Sequence, residues 1–142
     1  MSELALPRVL VVDDSATMRA IVTDVIRDSG GFDVAGTAAT GYEAIRRVHE
    51  LDPDIVTLDL EMPDLDGLDA LAYIMNEAPR PVVMLSAHTA AGAAPTLRAL
   101  ELGALDYVLK PAPGEPRGLD RMTERLTLAQ RTAAIARVRR PR

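Results

Sequence analysis

The chain has no cysteine and no tryptophan, and one phenylalanine and three tyrosines are all its ring-bearing aromatics apart from two histidines. Without cysteine there is no disulfide framework, no thiol nucleophile and no cysteine-ligated zinc. So few aromatic rings leave little to stack nucleobases or to line a flat cofactor pocket. No apolar run approaches the roughly 18 residues that a membrane-crossing helix needs. Met1 to Pro7 also lacks the basic start and apolar stretch of a secretory signal, so a soluble, cytoplasmic protein is expected. What remains is 142 residues, 48% hydrophobic and 26% charged, the size and composition of one folded domain.

The net charge of −5 conceals an asymmetry. Residues 117–142 carry eight arginines against Asp120 and Glu124, a net of +6, which leaves −11 on residues 1–116. An acidic body argues against nucleic acid as the main partner and suits a site that gathers carboxylates around a metal.

Hydrophobic patterning predicts five strand–helix units. Arg8 to Val12 is a short, nearly all-apolar run of the kind buried on both faces of a parallel sheet. Ser15 then caps a helix with Met18, Ile21, Val22, Val25 and Ile26 on one face, stopped by Gly30-Gly31. Phe32 to Ala38 reads as a second strand, and Thr40 to Glu43 has capping-box spacing ahead of a helix bearing Ala44, Ile45, Val48 and Leu51. Ile55 to Leu58 forms a third strand ending in Asp59. A loop with Pro63 leads to a helix from Gly67 with Leu68, Leu71, Ala72 and Met75 on one side. Val82 to Leu85 is a fourth strand, ending at Ser86. A helix bearing Leu97, Leu100 and Glu101 follows, with Pro95 in its first turn and Gly103 as its stop. Leu105 to Leu109 is the fifth strand. Past Lys110-Pro111 a last helix runs from about Leu119 toward Arg139, with an apolar stripe of Leu119, Met122, Leu126, Ala129 and Ala133. Such alternation implies an α/β fold, a parallel sheet with helices on both faces and a site outside the carboxyl ends of its strands.

Four strands end on residues that can do chemistry: Asp13-Asp14, Asp59, Ser86 and Lys110. Taken singly, each has a plain structural role, as a helix cap, a loop carboxylate, a backbone partner or a surface charge. Taken together they converge on one rim, where three carboxylates repel one another unless a cation sits among them. An all-oxygen set favours Mg²⁺, which keeps waters and leaves room for phosphate. In such a site Asp59 serves as phosphoryl acceptor, Asp13 and Asp14 hold the metal, Lys110 neutralises phosphoryl oxygens and Ser86 donates its hydroxyl. Ala87 is small enough to admit a phosphodonor.

Val-Val-Asp-Asp-Ser at 11–15, Asp59 with Met62-Pro63 and Asp66-Gly67, Ser86-Ala87 and Lys110-Pro111 resemble the receiver domain of bacterial response regulators. The resemblance covers residue 8 to about residue 138. It implies a doubly wound, flavodoxin-like five-stranded sheet of order 2-1-3-4-5 and phosphorylation of Asp59 by a sensor histidine kinase. It further implies Mg²⁺ held directly by Asp14 and Asp59, by Asp13 through water, and by the Glu61 backbone carbonyl, with a cis peptide before Pro111. On phosphorylation Ser86 would move inward and Tyr107 rotate, altering the face of the fourth helix, fifth strand and fifth helix. Glu61, Ala87 and His88 would modulate the phosphoryl group.

Thr57 to Leu71, Pro81 to Ala87 and Ala99 to Pro111 look more narrowly like the regulatory domain of chemotaxis protein-glutamate methylesterases, although Leu109 stands where those usually have proline. This implies a chemotaxis-type kinase as partner and a downstream effector domain. On that reading residues 1–118 are the receiver core, and residues 119–142 are a last helix and basic extension leading into a linker. The chain has no Gly-x-Ser-x-Gly elbow of its own, so the alternatives are a piece of such an enzyme or a stand-alone chemotaxis regulator. Two rival functions stand beside these: a phosphatase of the haloacid dehalogenase type, whose nucleophile lies on the first strand, and an interaction module that accepts no phosphate.

Overall fold

Short apolar segments separated by amphipathic ones fold as the patterning predicts, into ten alternating elements among the described residues. They are β1 (Arg8–Val12), α1 (Ala16–Asp28), β2 (Asp33–Ala38), α2 (Gly41–Leu51), β3 (Ile55–Asp59), α3 (Gly67–Glu77), β4 (Val82–Ser86), α4 (Ala93–Glu101), β5 (Asp106–Leu109) and α5 (Gly118–Arg137). The structure, a computed structural model, describes residues 5–87 and 93–137. The five strands are parallel in the order β2-β1-β3-β4-β5, with one register slip between Val9 and Leu10 where β1 meets β2. Among the described residues no helix is long and apolar enough to cross a membrane.

The period of two along a strand divides the core into two layers. Leu10, Val12, Val56, Leu58, Val82 and Met84 pack with α2, α3 and α4. Their alternates Val9, Val11, Ile55, Val83, Leu85 and Val108 pack with α1 and α5. Local signals hold the helix ends. The Ser15 hydroxyl accepts from the Met18 N–H at 3.1 Å, and Gly30 and Gly31 adopt φ of 73° and 84°, past the end of α1. Thr40 accepts from the Glu43 N–H at 3.0 Å. Glu43 reaches back one residue beyond the capping-box pattern, to the N–H of Ala39.

Several sequence expectations are corrected. α3 buries Ala70, Leu71 and Ile74, flanked by half-buried Leu68 and Met75, while Ala72 lies at the rim. α4 meets the sheet on Thr96 and Ala99, small side chains three apart on one face. That turns Leu97 (63% exposed) and Leu100 outward. On α5 the buried line is Met122, Leu126, Ala129, Gln130 and Ala133, so packing continues late into the helix. Leu119 faces outward over a recess shared with Ile21 and Val25 of α1. No described peptide bond is cis, so the Lys110–Pro111 bond is trans, the isomer that X-Pro linkages favour by about 0.5–1 kcal/mol.

Gly67 opens α3 by lying directly on the end of β3. Its N–H donates to the Leu60 carbonyl at 2.9 Å, and an added Cβ would collide with the Asp59 carbonyl oxygen and lie 2.7 Å from the Leu60 Cα. Both obstacles are backbone and cannot swing aside. Gly67→Ala is therefore expected to lower stability by about 2 kcal/mol in urea unfolding, and an unchanged midpoint would contradict this packing.

Candidate functional site

The carboxyl ends of β1, β3, β4 and β5 meet at one edge of the sheet, and each delivers one of the residues singled out from the sequence. Asp13 follows β1 and stays on the ladder, its N–H donating to the Ala38 carbonyl at 3.0 Å. One of its carboxylate oxygens accepts the Ser15 N–H at 2.9 Å, which shapes the turn into α1. The other accepts from Lys110 Nζ at 2.9 Å. Asp59, the last residue of β3, is 1% exposed, and its Oδ1 accepts from Lys110 Nζ at 3.0 Å and from the Glu61 N–H at 3.3 Å. Lys110 leaves β5 with its backbone N–H donating to the Ser86 carbonyl at 2.8 Å, so its ammonium ends between the two carboxylates.

Asp14 stands on the exposed side, yet one carboxylate oxygen from each of Asp13, Asp14 and Asp59 lies within 4.8 Å of the others. Among the described residues two buried atoms at this edge have no hydrogen-bond partner, Asp59 Oδ2 and Ser86 Oγ. Buried oxygens nearly always have a partner, whether a protein group, a water or a bound ion. The three carboxylates, two of them paired with Lys110, form an all-oxygen set that fits Mg²⁺.

Against known protein families, residues 9–122 match the response regulator receiver domain. The chain belongs to this family. Among curated proteins, the receiver is 52% identical over 131 residues to a protein-glutamate methylesterase/protein-glutamine glutaminase of Moorella thermoacetica, a match covering 92% of this chain and 30% of that protein. It is 50% identical over 125 residues to a protein of the same name, numbered 1, from Rhizobium johnstonii, covering 88% of this chain and 36% of that one. It thus spans about a third of the length of the curated relatives it matches. Among solved structures, the response regulator domain of Thermotoga maritima CheB superposes with a TM-score of 0.81 at 40% identity, covering 96% of this chain and all of that one.

The receiver's fold thus brings together Asp13, Asp14, Asp59 and Lys110, with Ser86 and Ala87 at the adjoining end of β4. Tyr107 lies one strand out on β5, half-buried against the core layer that α4 covers, with its Cα paired to that of Met84. His88 lies outside the described residues. Two contacts had no signal in the sequence. Glu61, expected as a backbone-carbonyl ligand and a modulator of the phosphoryl group, also accepts the N–H of Ala87 on its carboxylate at 2.9 Å and so spans from the β3 loop to the end of β4. Arg121 of α5 donates to the carbonyls of Leu109 and Lys110 at 2.9 and 3.1 Å. Both depend on loops returning to neighbouring strands, which local spacing does not encode.

One ammonium serves two buried carboxylates, with opposite effects on acid and base. Burial pushes Asp59 up to about 7 from 3.8, because the pull of Lys110 only partly offsets desolvation and Asp13 adds repulsion. Burial pulls Lys110 down, but its hydrogen bond to Asp13 and the charge of Asp59 outweigh this, so its net shift is upward. Asp59 thus holds its proton more tightly folded than unfolded. Its contribution to stability is full below about pH 4 and is lost as pH rises toward 7. In metal-free buffer Asp59→Asn, which leaves Lys110 paired with Asp13, should stabilise the receiver at pH 8 by on the order of 1 to 3 kcal/mol and by less at pH 5. Urea unfolding at both pH values checks this, and a gain equal at the two would mean that Asp59 titrates normally.

Proposed function

We propose that Asp59 is the phosphoacceptor of this receiver, taking a phosphoryl group from the phosphohistidine of a sensor kinase in the presence of Mg²⁺. The observation that carries the reading is the buried Asp59 carboxylate held by Lys110 Nζ: its Oδ2, like the neighbouring Ser86 hydroxyl, has no partner among the described residues. In the transfer the histidine N–P bond breaks as an Asp59 O–P bond forms, and the departing imidazole nitrogen takes a proton. Lys110 stays within reach of the equatorial phosphoryl oxygens, and Ser86 Oγ supplies a donor to one of them. Asp13, Asp14, Asp59 and the Glu61 backbone carbonyl would hold Mg²⁺. When bound, the ion offsets the carboxylate charge and that of the phosphoryl oxygens. The dehalogenase-type rival has its nucleophile on the first strand, an order that does not fit a nucleophile on β3.

The wider role we propose is control of an attached methylesterase domain in chemotaxis, driven by a chemotaxis-type kinase. Support comes from the names of the relatives and from the outward apolar side chains of Leu97, Leu100 and Leu105 around α4 and the start of β5. On this reading the basic segment after α5 begins a linker. Tyr107, beside α4, relays movement of Ser86 to that face, and His88 and Ala87 tune the phosphoryl group's lifetime.

Intact mass after incubation with Mg²⁺ and acetyl phosphate tests the acceptor. A single phosphoryl adduct is expected, absent with EDTA and absent in Asp59→Asn. No adduct on the folded protein would sink the acceptor role and favour an interaction module. A finer test concerns Glu61, whose carboxylate occupies the Ala87 N–H that an incoming phosphoryl oxygen would use. Glu61→Ala should speed adduct formation roughly threefold to tenfold, the equivalent of one hydrogen bond of about 1 kcal/mol. An equal or slower rate would mean that the contact does not compete.

A further inference from the structure

We infer that Arg121, clamped by Glu115, is a positioning residue for Lys110 and that it sets the rate of phosphoryl transfer without touching the reacting groups. The inference rests on the acceptor reading of Asp59. Lys110 is the last residue before Pro111, which has no N–H, so the carbonyl is the only backbone hydrogen-bonding group of that linkage. β5 is the edge strand, and beyond it the chain leaves the sheet. The Lys110 N–H is held on the sheet side by the Ser86 carbonyl at 2.8 Å. On the other side the guanidinium takes the next two carbonyls, Nη1 that of Leu109 at 2.9 Å and Nη2 that of Lys110 at 3.1 Å. The residue that carries the ammonium is therefore gripped through its own peptide groups from both directions.

The guanidinium is itself fixed. Glu115 accepts from its Nε at 2.9 Å and from its Nη2 at 3.2 Å, and also takes the Ala112 N–H at 3.0 Å. The Gly118 N–H donates to the Glu115 carbonyl at 3.2 Å, and a Cβ on Gly118 would lie 2.8 Å from the Glu115 carboxylate. The loop from Pro111 to Gly118 thus closes on one carboxylate, which also balances the charge of Arg121. A planar fork can hold two carbonyls and one carboxylate at once, whereas an ammonium cannot match that geometry. Lys110 must hold its Nζ at hydrogen-bond distance from two carboxylates through a long side chain. A shift of about 1 Å at its backbone is enough to cost a large factor in rate.

The test compares rate constants for adduct formation with acetyl phosphate at saturating Mg²⁺, by intact mass, in the full chain. Arg121→Gln should slow the reaction roughly tenfold. Arg121→Lys and Glu115→Gln, which keep a charge or a shape and guard against misfolding of the first variant, should slow it by smaller factors. The deciding readout is the same Arg121→Gln change in a Lys110→Met background. A residue acting through Lys110 has no further effect there, whereas a merely structural one lowers the rate by the same factor in both. Rates within about twofold of wild type for all three variants, or equal losses in both backgrounds, overturn the inference. A wild-type chain that takes no phosphoryl group overturns the acceptor reading along with it.

Discussion

The Lys110 ammonium shared between Asp13 and Asp59 is the contact on which this end of the molecule depends. Three carboxylates gathered at the edge of a sheet repel one another, and two of them are almost fully buried. A single half-buried cation lets them coexist without neutralising them. The burden of the remaining negative charge falls on Asp59, which is held up toward neutral pH, while the hydrogen bond to Asp13 and the charge of Asp59 keep Lys110 protonated. The carboxylates thus outnumber the one ammonium among them, and a divalent cation held there would act against the same excess of negative charge as Lys110 does.

Rigid scaffolding keeps that arrangement in place. Each site residue sits at or just past the end of a strand, still on or beside the ladder. Asp13 is bonded to the end of β2, Lys110 to Ser86, and Leu60 after Asp59 to Leu85. Gly67 lets α3 close down onto the backbone beside Asp59. Loops add adjustable contacts over this frame: Glu61 reaches the end of β4, and the Glu115–Arg121 pair fastens the β5–α5 connection. Elements with regular hydrogen bonding hold Asp59 and its counter-ion, while Glu61 and Glu115 are carried on turns.

The fold was legible because its signals are local. Five apolar runs bounded by turn residues and helix periodicities between them specify a doubly wound sheet almost by themselves, and Asp13, Asp14, Asp59, Ser86 and Lys110 follow because strand ends in such sheets share one rim. Helix faces were less legible. Leu97 and Leu100 turn outward because α4 approaches the sheet on Thr96 and Ala99, and Gln130 takes a buried place on α5 while Leu119 turns away. Hydrophobicity ranks residues without saying how closely a helix can approach, which small side chains decide. The trans bond before Pro111 follows the ordinary preference of X-Pro linkages and not the cis form that the resemblance implied.

The sequence by itself determined the order of elements, the two-layer core and the set of chemical groups at the strand ends, because periodicity and turn chemistry act over a few residues. Tertiary structure alone decided which of those groups share a counter-ion, how far Asp59 is pushed toward neutrality, that the Glu61 carboxylate reaches the N–H of Ala87, and that Arg121 holds the carbonyl of Lys110. These depend on distances between segments far apart in the chain. Electrostatics and hydrogen bonds respond to those distances over ångströms, which no pattern of neighbours along the sequence specifies.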